Sequence, residues 1–230
     1  MSQIKLTILE TVFLSDGYCE LILQLEDEFK PPPGPGHYIC TTFAVDAPRI
    51  FLPIIGLERE NRLRVLFHGK PLTGKTLQHA RIEGLSVNPD PTWKHLVLIT
   101  ENAAIACAIF AASLWRKQYT LTVFSEFNTE PPFRPAPSKI LMPACPADVI
   151  AAVPLLDDWN IPSRLASPVV RSGFFHGKVY GLLEAWWQRL TAAERQDMQL
   201  LGYGSRDFIR RLEDWCRNHA VPAQTTETPG

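Results

Sequence analysis

The stretch His95–Lys117 has the pattern that holds phosphate groups in many α/β proteins. An apolar strand, His95–Thr100, is followed by a short turn and an apolar helix, Ala103–Lys117. The start of such a helix offers free backbone N–H groups and the positive end of the helix dipole to an anion. Phosphate-binding turns carry glycines there, whereas this turn carries Glu101–Ala104. The stretch therefore predicts the architecture of a nucleotide site without its chemistry.

Glu101 changes what this turn could bind. Its carboxylate would compete for the positive end of the helix and would repel a phosphate. At roughly 4 Å and an effective dielectric constant of about 20, two unit charges interact by about 4 kcal/mol. That energy is comparable to the whole binding free energy of a ligand with a dissociation constant of about 1 mM. We therefore expect phosphate binding at this turn to be weak or lost.

The composition is that of an ordinary globular chain. Of its 230 residues, 46% are hydrophobic and 20% are charged, with a net charge of −1. No basic stripe favours nucleic acid, and the longest uncharged apolar run, Ala103–Trp115, is too short to span a bilayer. The first residues lack the pattern of a secretory signal, and the cysteines stand singly, as reduced thiols do. We expect a cytoplasmic chain with no membrane span and no nucleic-acid partner.

Neither cysteines nor histidines are spaced as metal ligands. There is no C-x-x-C pair and no H-E-x-x-H motif, so the sequence predicts no metal site and no iron–sulfur cluster. Cys107 begins the apolar helix, where the pKa of a thiol could be lowered. Glu101 opposes that effect, and burial of Cys107 as a small apolar residue is the favoured interpretation. The sequence identifies no catalytic residue.

Short strands dominate the first part of the chain. Ile4–Thr11 and Cys19–Leu25 alternate apolar and polar residues, as half-buried strands do. Further strands are predicted at His37–Phe43, Ile50–Leu57, Leu63–His68 and Leu85–Val87, and a helical turn at Thr76–Arg81. This spacing predicts an antiparallel β-barrel over residues 1–91.

Strands and helices alternate from residue 92 onward. The predicted strands are His95–Thr100, Tyr119–Phe127, Ile140–Pro143, Ser163–Ser167 and Gln199–Gly202, and the predicted helices are Ala103–Lys117, Ala147–Asp157, Lys178–Leu190 and Arg206–His219. This alternation predicts a parallel α/β nucleotide-binding-like domain over residues 92–220. The predicted fold class is thus mixed, an N-terminal antiparallel β-barrel followed by a parallel α/β domain. Residues 221–230 are polar and are predicted to form a loose tail.

Four short motifs follow one another along the chain. They are Pro35–Ile39, Leu96–Ala106, Gly177–Val179 and Leu201–Ser205. In this order they resemble the Pro-Gly-Gln-Phe-Val strand, the glycine turn for the pyridine nucleotide, the Gly-x-Val and the Cys-Gly-Pro turn of the ferredoxin reductase-like flavoproteins. The size resembles the electron-transfer subunits of that family. The resemblance implies FAD or FMN and a protein partner in a redox complex, but the cysteine cluster of [2Fe–2S] subunits has no counterpart here.

The flavin segment of that family, Arg-x-Tyr-Ser/Thr on a barrel strand, aligns in two registers. In the first, Arg49 stands for the arginine that pairs with the diphosphate, and Phe51 stands for the tyrosine that stacks on the ring. In the second, Pro53 aligns with a proline of the motif, and the apolar segment Leu52–Ile55 replaces every polar residue. The sequence leaves both registers open. The resemblance thus makes Arg49 and Phe51 candidate flavin-binding residues.

A glycine-rich loop under the flavin diphosphate is a second feature of the family. Thr73, Gly74, Lys75 and Thr76 could serve this role, because they offer two hydroxyls, a lysine and free backbone N–H groups. An ordinary surface loop explains the same four residues equally well.

The pyridine-nucleotide site departs furthest from the family. Its glycines are replaced by Glu101–Ala104, and Tyr203 stands where the family has a cysteine near the nicotinamide. We therefore predict that NAD(P)H binding in the family's mode is lost or very weak.

Two adjacent tryptophans suggest a partner surface. Trp186 and Trp187 lie on the predicted helix Lys178–Leu190 and cannot both face the core. We expect Trp186 in the core and Trp187 on an exposed surface that binds a partner. Packing of Trp187 against the loop Arg171–His176 is the alternative.

Three functions fit these observations. The first is a flavin-bearing electron-transfer subunit that receives electrons from a partner protein. The second is a cofactor-free structural or regulatory subunit of a larger redox complex. The third is an active NAD(P)H–flavin reductase with an unusual nucleotide site. Whether the chain is itself an oxidoreductase stays open.

Overall fold

A β-barrel and a helix-covered parallel sheet follow each other along the chain. The computed structural model describes residues 4–15, 17–26, 31–42, 48–59, 61–70 and 76–229. Within these residues the barrel strands are β1 (Ile4–Phe13), β2 (Tyr18–Leu25), β3 (Tyr38–Thr42), β4 (Ile50–Arg59), β5 (Arg62–His68) and β6 (Thr76–Glu83). They close an antiparallel barrel in the order β1-β2-β5-β4-β3-β6. The predicted N-terminal barrel is confirmed.

The segment predicted as a helical turn, Thr76–Arg81, is part of strand β6. Leu77 and Ala80 both point into the barrel, a spacing of three that imitates a helix. A left-handed residue between them, His79 at φ 52°, causes this spacing, because it interrupts the alternation of the strand. The strand predicted at Leu85–Val87 is also wrong, since these residues are irregular and Val87 N donates to Pro35 O at 3.0 Å.

The second half of the chain forms a parallel sheet. Its strands are β7 (His95–Glu101), β8 (Thr120–Glu126), β11 (Ser163–Ser167), β12 (Phe175–His176), β13 (Met198–Gly204) and β14 (Ala223–Glu227), and a separate antiparallel pair is formed by β9 (Ala136–Pro137) and β10 (Ala151–Ala152). The helices of the described chain are α1 (Ile105–Trp115), α2 (Pro154–Asp158), α3 (Val179–Trp187), α4 (Ala192–Gln196) and α5 (Arg206–Asn218). The sheet order is β12-β11-β8-β7-β13-β14. The predicted parallel α/β architecture is confirmed.

Both faces of this sheet are buried, which explains the continuous apolar run of β7. Leu96 and Leu98 belong to the cluster that α1 covers. Val97 and Ile99 belong to the cluster on the other face, which α3 and α5 cover. Helices on both faces are what a parallel sheet requires.

The predicted loose tail at residues 221–230 is wrong. Ala223–Glu227 forms β14, which pairs in parallel with β13 at the edge of the sheet. Thr226 and Thr228 are buried, and Thr228 N donates to Gly204 O at 2.8 Å. The polar composition is that of an edge strand, which buries one face and has a partner on one side only.

Two elements predicted between β8 and β11 are also wrong. Ile140–Pro143 forms no strand, and of the predicted helix Ala147–Asp157 only the end is helical, as part of α2. Pro154 occupies the first turn of α2, where a missing N–H costs no hydrogen bond. The residues before it are extended, because Ala151–Ala152 pairs with Ala136–Pro137.

Trp187 is buried, so its predicted exposure is wrong. Its ring lies 5.6 Å from that of Trp215 and 5.7 Å from that of His219, in edge-to-face geometry. The guanidinium of Arg195 covers it at 5.2 Å. Helices α4 and α5 therefore close over the side of α3 that the sequence pattern leaves open.

Helix α1 joins the two halves of the molecule. Phe110 belongs to the core cluster of the barrel, although it lies on a helix of the α/β layer. Ala106 packs with Ile55 and Leu66 of the barrel in a smaller apolar cluster.

Candidate functional site

The sheet order defines the place where an α/β layer binds ligands. The chain runs from β7 to its neighbour β8 on one side and later returns to β13 on the other side. The carboxyl ends of β7 and β13 therefore flank a crevice at the point where the strand order reverses. Open α/β sheets bind their ligands in such a crevice. Glu101 and Ser205 lie at this position, at the end of β7 and the start of α5.

Hydrogen bonds hold the carboxylate of Glu101 in the crevice. Its Oε2 accepts hydrogen bonds from Ser205 N at 3.1 Å and from Ser205 Oγ at 2.5 Å. Its Oε1 accepts from Asn128 Nδ2 at 3.3 Å. Since Ser205 is the N-cap of α5, the carboxylate occupies the place where that helix would meet an anion. The charge of Glu101 thus acts at the start of α5, whereas the sequence predicts that it acts at the helix directly after the turn.

A hydrogen bond and the burial of neighbouring residues fix the turn after β7. Asn102 has a left-handed backbone, with φ 49°, and its Oδ1 accepts from Asn128 N at 2.9 Å. The first residues of α1, Ile105 and Ala106, are buried. A Cβ on Gly204 would lie only 2.5 Å from Phe208 Cδ1 and 3.1 Å from Glu101 Cβ. Phe208 and Glu101 therefore pack closely against the backbone of Gly204.

Carboxylates outnumber cations around the remaining cavity of about 230 Å³. Glu126 is 1% exposed and accepts from Lys178 Nζ at 2.6 Å and from Val179 N at 2.9 Å. Lys178 Nζ also donates to Asn128 Oδ1 at 3.0 Å. Asp207 adds a third carboxylate. Arg211 also lines the cavity, so three carboxylates face two cations, and the lysine is engaged with its own neighbours.

Tyr203 fills the core beneath the crevice. It is fully buried in the cluster that also contains Cys107, and burial raises the pKa of its hydroxyl well above 10.0. Its hydroxyl has no hydrogen-bond partner in the described chain. Burial also raises the pKa of the Cys107 thiol to about 12. The interpretation of Cys107 as a buried apolar residue is confirmed, and no reactive thiol exists there.

The barrel carries a second cavity, of about 300 Å³, which contains Arg49. Arg81, Glu83 and the buried residue Thr42 also line it. The Oγ1 of Thr42 has no hydrogen-bond partner in the described part of the chain. An unpaired buried hydroxyl beside two guanidinium groups fits an anionic ligand.

Along β4, the residues that the two registers assign to the flavin segment point to opposite sides of the barrel wall. Phe51 is 37% exposed and contacts the ring of Tyr38 edge-on, with 5.8 Å between ring centroids. Phe51 is also paired with Cys40, which lines the Arg49 cavity. Leu52 and Ile54 point into the barrel core. The first register therefore brings an aromatic ring and a cation to the outer face of the barrel, whereas the second places apolar residues inside it.

The predicted glycine-rich loop stays a prediction. Thr73, Gly74 and Lys75 lie outside the described residues, and Thr76 is described only as the backbone start of β6.

Sequence reasoning missed Thr42, Arg81 and Glu83. Arg81 and Glu83 follow the bulge at His79, so the helical interpretation of this segment concealed their shared outer face. Strand alternation on β6 would have identified them. Thr42 carries no comparable signal, because only the cavity shows its unpaired hydroxyl.

Over the described ranges, no three His, Cys, Asp or Glu side chains are grouped as metal ligands. None of the helices described is both long and apolar enough to cross a membrane.

Solved structures resemble this chain, whereas no family model and no curated protein matches its sequence. The ferredoxin NADP+ reductase from Neisseria gonorrhoeae with bound FAD and NADP has a TM-score of 0.67 at 10% identity, covering 98% of this chain and 99% of that chain. The Amycolatopsis cytochrome P450 reductase GcoB has a TM-score of 0.68 at 10% identity, covering 97% and 69%. The flavohem-like FAD/NAD binding domain of nitric oxide dioxygenase from Vibrio cholerae has a TM-score of 0.64 at 9% identity, covering 99% and 100%.

These similarities extend over nearly the whole chain, and they reproduce the order of barrel and α/β layer. At such low identity they establish the fold alone. The chain has the fold of the ferredoxin reductase-like FAD/NAD-binding proteins, which confirms at the level of the fold the resemblance predicted from its motifs.

Proposed function

We propose that this chain is an electron-transfer subunit that binds a flavin on the barrel face around Arg49 and Phe51 and receives its electrons from a partner protein. The observation that carries the proposal is the pair of hydrogen bonds from Ser205 to the Glu101 carboxylate. They place a carboxylate in the crevice where a ferredoxin reductase-like fold would receive NAD(P)H, which supports a reductant other than NAD(P)H.

The barrel face supports a flavin in the first register. Arg49 and Arg81 supply guanidinium groups for a phosphate, and the exposed ring of Phe51 supplies a surface for stacking. Thr42 offers an unpaired hydroxyl. A bound flavin would supply the redox chemistry, and these residues would hold and orient it.

The fold relatives support a role with other proteins. One is a cytochrome P450 reductase and another is a ferredoxin NADP+ reductase, and both names state a redox partner. We extend that arrangement to this chain, with a protein both donating and accepting electrons.

The alternative, a cofactor-free structural or regulatory subunit of a redox complex, also has an observation in its favour. Strand β4 turns Leu52 and Ile54 into the core, and Ile55 packs against Ala106. None of these three side chains can form a hydrogen bond to a flavin ring.

The visible absorption spectrum distinguishes a flavin-binding subunit from a cofactor-free one. The chain is purified and its spectrum recorded before and after addition of FAD and of FMN, and NADH and NADPH are then titrated by calorimetry. We expect uptake of a flavin, a loss of affinity of about tenfold or more in Arg49→Gln, and no effect in the control Arg217→Gln on exposed α5. A colourless protein that takes up neither flavin would support the cofactor-free alternative. Micromolar affinity for NADH or NADPH would contradict the proposed loss of NAD(P)H binding.

A further inference from the structure

A separate cavity of about 270 Å³ lies between the barrel and the α/β layer. It shares no lining residue with the Arg49 cavity or with the Glu101 crevice. Pockets at the junction of two structural units commonly bind small molecules. Neither the flavin proposal nor the Glu101 crevice accounts for this one.

The walls of this junction cavity are apolar. Ile55 and Leu66 of the barrel pack with Ala106 of α1 in one apolar cluster, and Ile109 is packed against it. Leu155, on α2 of the α/β layer, is 37% exposed. A ligand with hydrogen-bonding groups along its body would leave them unpaired here, which costs free energy. The body of the ligand is therefore a hydrocarbon.

One contact across the junction and one within the α/β layer fix residues at and beside the cavity. Ser15 Oγ in the turn between β1 and β2 donates to Pro131 O at 2.7 Å. The ring of Phe133 packs edge-on against Phe127, with 5.6 Å between centroids. A cavity held in this way does not have to be rebuilt when a ligand enters, so less affinity is lost to ordering.

The charges at the cavity leave one cation uncompensated. Glu20 and Arg64 form a bidentate ion pair, with Arg64 Nη2 donating to Glu20 Oε2 at 2.8 Å, so they neutralise each other. Arg134 is exposed at the same cavity. Among the described residues it has neither an ion pair nor a hydrogen bond. A guanidinium in this state matches a carboxylate, which it can bind through two parallel hydrogen bonds.

We propose that the junction cavity binds a monocarboxylate with a hydrocarbon chain, the chain lying against Ile55, Leu66 and Ile109 and the carboxylate pairing with Arg134. The lining can accommodate one apolar chain and can pair with one negative charge. The proposal is independent of the flavin, because none of these residues lies in the flavin face.

Calorimetric titration of octanoate into the full chain tests the proposal. We expect saturable binding with one molecule per chain, and a loss of affinity of about tenfold or more in Arg134→Gln. The control Arg210→Gln changes an arginine on the exposed side of α5 and leaves the affinity unchanged. Octanol, which has the same chain without the charge, binds wild type and Arg134→Gln equally.

A second pair of variants tests the location of the chain. Ile109→Trp fills the cavity, and Leu155→Glu places a carboxylate at its exposed edge, where no core packing is at risk. Both abolish octanoate binding. Equal affinity of octanoate for wild type and Arg134→Gln, or unchanged binding to Leu155→Glu, would overturn the proposal. Flavin uptake is recorded on the same samples, so failure of the flavin proposal is seen separately.

Discussion

At the scale of the residue, Glu101 is expected to stabilise the fold through the start of α5. Its Oε2 accepts from the backbone and the hydroxyl of Ser205, the N-cap of α5. In Glu101→Ala these donors lose their acceptor at the half-buried start of the helix. We expect a loss of about 1–2 kcal/mol in the free energy of unfolding. Urea denaturation followed by circular dichroism measures it.

Glu10→Ala is the matched control for this prediction. Glu10 is an exposed residue of β1, and its replacement is expected to change the free energy of unfolding by less than about 0.5 kcal/mol. Equal stability of Glu101→Ala and Glu10→Ala would show that the hydrogen bonds to Ser205 contribute nothing.

His95 makes the stability of the chain depend on pH. Burial lowers its pKa below the ordinary value of 6.5, although Asp197 and Glu194 act in the opposite direction. The unfolded chain therefore binds a proton at a higher pH than the folded chain does. The free energy of unfolding falls as the pH falls through 6.5 toward the lower pKa of the folded state.

Urea midpoints between about pH 7.5 and about pH 5.5 test this dependence. We expect a shallower decrease in His95→Gln than in wild type. His37, whose pKa is also lowered by burial, contributes the part that remains. An identical decrease in wild type and His95→Gln would contradict the prediction.

At the scale of the element, sequence periodicity correctly predicted the strands and helices whose pattern depends only on residues close to one another in the chain. The buried strand β7, the apolar α1 and the capped α5 all carry a signal within a few residues. Strand β6 does not, because one left-handed residue at His79 changes its period. Strand β14 also lacks a local signal, since its polar residues become half-buried only when β13 is beside them.

Strand β14 protects the sheet edge, and its removal is predicted to cause aggregation. Without residues 223–230, β13 would present unpaired backbone groups along a buried apolar strand, a template for pairing with other chains. We expect the deletion to lower the urea midpoint and to form oligomers in light scattering. Thr225→Ala keeps the backbone of the strand and serves as the control. A monomeric deletion variant of unchanged midpoint would show that the edge needs no cover.

At the scale of the whole molecule, the site could be located from the sequence but not completed. The position of the crevice follows from a strand, a turn and a helix that are contiguous in the chain. The hydrogen bonds between Glu101 and Ser205 could not be predicted, because the two residues are 104 positions apart and meet only when β13 lies next to β7. Pairing of β2 with β5 brings Glu20 next to Arg64, and packing of the barrel on the α/β layer brings Arg134 to the same cavity.

The same packing predicts that the two halves unfold together. Phe110 lies on α1 of the α/β layer, yet its ring is 1% exposed within the core cluster of the barrel. We expect Phe110→Ala to cost about 3–5 kcal/mol, because it leaves a cavity at the junction. Losing this contact should also separate the unfolding of the two halves, whereas wild type unfolds in one transition.

Tryptophan fluorescence makes this prediction measurable, because all six tryptophans lie between Trp93 and Trp215, outside the barrel. Far-ultraviolet circular dichroism reports on both halves. In wild type the two urea curves coincide, and in Phe110→Ala they separate. Leu114→Ala, at an exposed position of the same helix, keeps them coincident. Coincident curves in Phe110→Ala would mean that the remaining apolar contacts, Ile55 and Leu66 against Ala106, are enough to couple the halves.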